Sequence, residues 1–191
     1  MTDLGLIFPE ITLLALACCV LMIDVFREKE SNLITFWAAI IALLVVLSEL
    51  ALYFPDASSI AFFGTAKIDP MGAVLKAFAV VLVLVSFFYA RDYFEKKQQQ
   101  ASEYYILALF ATIGMMVLIS ANSLLTVYLG LELLSLSLYS LVAMNRNSPD
   151  SAESAMKYFI LGALASGMLL YGISMLYGVS GTLQLDELIA R

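Results

Sequence analysis

Long apolar runs separated by short polar breaks dominate the chain. They fall at Leu6 to Phe26, Ile34 to Phe54, Met71 to Ala90, Tyr104 to Ser120, Ser123 to Ala143 and Met156 to Tyr177. Each is about as long as a helix must be to cross ~30 Å of hydrocarbon, so the pattern predicts about six spanning helices. The prolines Pro9, Pro55, Pro70 and Pro149 sit at or near the edges of these runs, where proline interrupts no interior hydrogen bond. Only a few residues around Ala121 and Asn122 separate the fourth and fifth runs, which forces those helices to pack as antiparallel neighbours. In the longest connection, Pro55 to Pro70, the stretch Ile60 to Ile68 around Gly64 predicts a small hairpin lying on the outer face. Asp69 before Pro70 is placed to cap the third helix. Ser148, Asp150 and Ser151 make a polar turn before the sixth, with Glu153 suited to its first turn. After Tyr177 the chain leaves the apolar pattern, and Leu185, Leu188 and Ile189 begin an amphipathic surface helix.

Composition sharpens this into an all-α polytopic membrane helix bundle. Of 191 residues 62% are hydrophobic and 14% charged, with a mean hydropathy of +0.94, far more apolar surface than a soluble domain of this size could hide. A net charge of -6 with no basic run argues against nucleic-acid binding. Asp3 precedes the first run where a signal peptide needs positive charge, so that run is read as a retained helix. Arg27, Lys29, Arg91, Lys96, Lys97 and Arg146 fall on one set of alternating connections, against Lys67 and Arg191 on the other. The positive-inside rule then places the N-terminus outside, on the periplasmic face. Cys18 and Cys19 are adjacent in an apolar segment and are expected to be reduced packing residues. With no histidine and no metal-ligand spacing, no redox cofactor is expected on this chain, and electron chemistry is left to partners.

Against that background one residue stands out. Glu132 lies at the midpoint of SLLTVYLGLELLSLSLYSLVA, Ser123 to Ala143, and an acid at the centre of a spanning helix costs ~3 kcal/mol on an insertion scale. Such residues face protein or water and are kept for function. Tyr128, Ser135 and Tyr139 lie four before, three after and seven after it, on the same helical face, so the carboxyl belongs to a polar stripe. That stripe suggests a hydrogen-bonded proton path. The plainer alternative is a structural acid, neutral and hydrogen-bonded to a neighbouring helix.

Two lysines are also buried by position. Lys76 lies about one and a half turns into the third helix, where its long stem could lift the ammonium to the interface. Lys157, near the start of the sixth, has Glu153 four residues before it and Tyr158 after it. Further along, Gly162 and Ser166 form a small-xxx-small groove that lets another helix approach. Glu10, Asp24 and Glu49 lie near helix ends and are expected to meet water. A carboxyl in hydrocarbon holds its proton, whereas a lysine brought close favours its release. A Glu and Lys pair of changing separation would therefore act as a proton switch.

The runs YLGLELLSLSLYSLVA, Tyr128 to Ala143, and SAESAMKYFILGALASGMLLYGISMLYGVSGT, Ser151 to Thr182, resemble subunit N of the bacterial NADH-quinone oxidoreductase, respiratory complex I. PEITLLALA, Pro9 to Ala17, and EYYILALFATIGMMVLISANSLLTVYLGLE, Glu103 to Glu132, fit the same family, so the likeness covers essentially the whole chain. Sister antiporter-like subunits usually carry tryptophan before the glutamate, where this chain has Leu131. The resemblance implies a proton-translocating, inner-membrane subunit of a translocase, with Glu132 as the pumping carboxylate and Lys157 as a recurrent lysine of the sixth helix. NADH, FMN, iron-sulfur clusters and quinone are then expected in partner subunits, and the other membrane subunits of complex I as neighbours. It also implies about fourteen helices in inverted repeats, so residues 1–191 are expected to be the N-terminal part of a longer subunit. The lysine usually paired with the glutamate comes from a seventh helix. Ser137 stands where the family has proline, which puts a kink beside Glu132 in question. Two other classes remain open: a subunit of a multi-subunit cation/proton antiporter, and a non-conducting membrane scaffold.

Overall fold

In a computed structural model, residues 5, 7–26, 33–97, 101–145 and 148–189 are described. Asp3, Arg27, Lys29, Arg146 and Arg191, which enter the charge pattern above, lie outside them. Six long helices carry the chain: α1 (Phe8–Val25), α2 (Leu33–Leu52), α3 (Pro70–Lys97), α4 (Ser102–Ile119), α5 (Leu124–Val142) and α6 (Pro149–Ser180). All six are long and apolar enough to cross a membrane. Helices α1 to α4 share the core, where Leu13, Leu43, Val80, Leu109 and Met116 are fully enclosed. At one end of that core Phe36, Phe87 and Tyr105 meet edge to face, with centroids 5.1 to 5.4 Å apart, the geometry ring quadrupoles favour. Helix α5 crosses α4 at two glycines: a Cβ at Gly114 would lie 2.7 Å from the Leu134 nitrogen, and one at Gly130 2.9 Å from that of Leu118. Only hydrogen at both positions lets the backbones come this close. Helix α6 packs on α5 at the outside of the bundle, and most of its surface is exposed. Cys18 and Cys19 are free thiols, and both are exposed on the outer face of α1.

Two helices outrun their apolar segments. Helix α3 continues past Ala90 because Arg91 pairs with Glu95 one turn on at 2.7 Å and lies 5.1 Å from the centre of the Phe36 ring, while Phe94 stays buried. Helix α6 begins at Pro149, in the first-turn position proline tolerates, after the Ser148 hydroxyl accepts the Ser151 N–H. It ends at Gly181, whose φ of +69° is left-handed and whose N–H donates to the Tyr177 carbonyl at 2.7 Å. At 32 residues it is about 48 Å long.

The hairpin forms as predicted: β1 (Ser59–Ala61) pairs antiparallel with β2 (Ala66–Ile68), turning through Phe62, Phe63 and Gly64 at positive φ. It does not stand alone. Lys67 N–H donates to the Ser120 carbonyl at 2.8 Å, and Asn122 donates from its backbone to Thr65 and from its amide to Gly64 and Asp186. Leu124 N–H and Leu185 N–H close the ring with Leu183 and Asn122 carbonyls, ahead of the short helix α7 (Leu185–Ile189). Hairpin, α4–α5 turn and C-terminal segment are thus sewn into one surface at a single end of the bundle.

Candidate functional site

Helix α5 starts where Ser123, in extended backbone, accepts the Leu125 N–H on its hydroxyl. From that fixed start the stripe falls towards α6. Ser166 of α6 donates to Glu132 Oε2 at 2.5 Å and lies 3.4 Å from the Tyr128 hydroxyl. One turn earlier on α6, Gly162 lies under the Tyr139 phenol so closely that any Cβ there would collide with it. Tyr139 then packs edge to face on Tyr158 and Phe159, with centroids 4.9 and 5.7 Å apart. The small-xxx-small groove therefore receives α5: glycine admits the aromatic ring, and serine supplies the hydroxyl that the acid needs. Tyr128, Glu132 and Tyr139 share this seam, about 16 Å long by helical rise. Ser135, half-buried on α5, joins none of these contacts. Ser137 is buried and its hydroxyl donates to the Leu133 carbonyl at 2.8 Å, the back-bonding that a serine in a helix offers in place of a proline kink.

Lys157 does not reach the acid. It lies nine residues before Ser166, about 13 Å along α6, its side chain is 70% exposed and its ammonium holds Glu153 at 2.5 Å. Tyr158, next to it, touches the far end of the seam through Tyr139. Glu132 and Lys157 thus lie along one helix seam, with the Tyr139–Tyr158 ring contact between them, without meeting.

The other lysine overturns an expectation. Lys76 does not rise to the interface, and Glu10 does not meet water: each is 4% exposed, and Lys76 Nζ donates to Glu10 Oε1 at 2.5 Å. Ser120 donates to the same oxygen at 3.0 Å. A carboxyl near a helix end is water-exposed only when nothing packs over that end, and here α3 and the α4–α5 turn cover the first turn of α1. Asp24 is likewise engaged, accepting from Thr35 at 2.9 Å. Asp69 caps α3 as expected, taking the Gly72 N–H at 2.8 Å. Among the described residues no group of three or more histidine, cysteine, aspartate or glutamate side chains is placed to hold a metal.

The chain is thus a spanning helix bundle with an acid held at mid-helix by a neighbouring helix, and it is similar to membrane subunits of respiratory complexes. The family model described as NADH:quinone oxidoreductase/Mrp antiporter, TM matches residues 121–191, which include Glu132, Lys157 and Ser166. Curated relatives named NADH-quinone oxidoreductase subunit N, from Alkalilimnicola ehrlichii and Herminiimonas arsenicoxydans, are each 46% identical to the chain, covering 98% and 100% of it and 38% and 40% of their own length. Among solved structures, respiratory complex I from Thermus thermophilus with bound aureothin contains a chain 29% identical over 93% of this one and 38% of its own, with a TM-score of 0.75. The membrane-bound sulfane sulfur reductase, an archaeal respiratory membrane complex, matches in fold at a TM-score of 0.81, with 19% identity over 98% of this chain and 39% of its own. The chain is a homologue of NADH-quinone oxidoreductase subunit N and a multi-pass protein of the bacterial inner membrane. It spans about two-fifths of the length of the curated relatives it matches.

Proposed function

We propose that the chain is a proton-translocating part of an NADH-quinone oxidoreductase membrane arm, in which Glu132 gains and loses a proton as quinone reduction proceeds in partner subunits. The observation that carries this is the 2.5 Å bond from Ser166 to a carboxyl at the middle of a spanning helix, an arrangement expensive to build for packing alone. Tyr128, which Ser166 also meets, and Tyr139 are the tyrosines on the same face as that acid, and Lys157, paired with Glu153, is a further candidate proton carrier on α6. Lys76 is a separate candidate, set in its own buried pair. NADH, FMN, iron-sulfur clusters and quinone are assigned to other subunits of the complex. Further membrane subunits are assigned to the exposed faces of α6, and residues 1–191 to the N-terminal part of a subunit of about fourteen helices. The alternating lysine and arginine pattern supports placing the hairpin end, with the N-terminus, on the periplasmic face.

Replacing Glu132 with Gln in the complete complex tests this reading, because the amide keeps shape and hydrogen bonding but cannot ionise. The complex should assemble and its proton translocation should fall by about tenfold or more; undiminished pumping would leave the scaffold reading. The description of the matching family model joins oxidoreductases to Mrp antiporters, which favours a second reading, a cation/proton antiporter subunit. Co-purification separates the two: flavin and iron-sulfur subunits that oxidise NADH support the first, and sodium/proton exchange without them supports the second.

A further inference from the structure

We propose that Glu10 and Lys76 form a second proton-exchange site, served by water at the hairpin end of the bundle and separate from the Glu132 seam. The proposal rests on the reading of the chain as a proton-translocating subunit. Three observations converge on it. Both charges are buried, which costs more than an apolar pair of the same volume, so packing alone does not account for them. Glu10 takes Lys76 and Ser120 on one oxygen, while Oε2, equally buried, has no hydrogen-bond partner among the described residues. Both donors therefore meet Oε1, the oxygen to which Lys76 can hand its proton, and Oε2 is left a buried acceptor without a partner. Lys76 also lines a cavity of about 670 Å³ between the ends of α1, α2 and α3, room for many waters.

Besides Lys76, the titratable groups that line this largely apolar cavity are Tyr53 from the connection after α2, Asp56 further along it, Lys67 from the hairpin and Asp69 from the α3 cap. Lys76 is the residue common to cavity and pair, so it is the relay and Glu10 is the store. In the forward direction the ammonium passes a proton along its bond to Glu10 Oε1, and a hydronium in the cavity returns one to the amine. The net change is hydronium plus carboxylate to water plus carboxylic acid, with Lys76 again charged. Protonating Glu10 removes the charge that holds both Lys76 and Ser120. Ser120 begins the turn that leads to the Ser123 cap of α5, so the state of this pair is felt at the start of the helix carrying Glu132.

In native membrane vesicles the double variant Glu10→Gln with Lys76→Met removes both charges together and leaves none buried without a partner. It is expected to assemble, to oxidise NADH with an artificial acceptor at the wild-type rate and to pump protons about tenfold more slowly. Wild-type pumping by the assembled variant overturns the proposal. Infrared difference spectra of the complex between low and high pH give a readout that a merely structural pair would not move. A carboxyl band is expected in the wild type, shifted in Glu10→Asp and missing in Glu10→Gln; the same spectrum from all three overturns the proposal, whether or not the double variant assembles. If Glu132→Gln stops pumping while the double variant pumps normally, this site alone fails. If Glu132→Gln pumps normally, the underlying reading fails and takes this proposal with it.

Discussion

At the scale of single residues, what each polar group touches decides what it can do. Ser166 is the only donor to Glu132 among the hydrogen bonds described here, and a hydrogen bond to a charged group contributes roughly 1.5 to 3 kcal/mol. Ser166→Ala should therefore slow proton translocation about tenfold, with Ser166→Thr restoring much of it, as measured by the initial rate of acidification in vesicles. Equal rates in the alanine variant would remove Ser166 from the path. Glu132 and its stripe were legible in the sequence because helical periodicity places Tyr128, Glu132 and Tyr139 on one face before any partner is known. Glu10 and Lys76 were not. They lie 66 positions apart, each near an end of its own helix, and local pattern carries no information about which helix end covers which.

At the scale of elements, small residues set the spacing between helices. Gly162 and Gly167 lie on the same helix, yet a Cβ at Gly162 would strike the Tyr139 ring while one at Gly167 would meet nothing within 4 Å. Gly162→Val is predicted to cost about 1 to 3 kcal/mol through overpacking and to pull Ser166 away from Glu132, lowering both the thermal inactivation temperature of the complex and its pumping. Gly167→Val should be close to neutral in the same assays. Six helices, the hairpin and the α3 cap follow from apolar runs, turn residues and the Asp-Pro boundary, all local signals. The helical extensions of α3 and α6 do not, because beyond the apolar run they depend on Arg91 meeting Glu95 and Phe36, and on the Ser148 cap. The Gly114 and Gly130 crossing was equally hidden, since each glycine gains its meaning only from the backbone opposite it.

At the scale of the whole molecule, α1 to α4 enclose a core while α5 and α6 hold the acid at the edge of it. The seam around Glu132 runs to Tyr139 and Tyr158 on one side and to Ser166 and Tyr128 on the other, and most of α6 faces outward. A path so bordered requires neighbours to complete it, and the purified 191-residue chain reconstituted in liposomes is predicted to carry no proton current, read with a trapped pH-sensitive dye. The central claim is that one carboxyl at mid-membrane changes protonation as the complex turns over. Time-resolved infrared spectroscopy of the working complex, with Glu132→Gln as the reference, tests it most directly: a carboxyl band belonging to Glu132 should appear and vanish within each cycle, and a band that stays constant through every stage of turnover would contradict it.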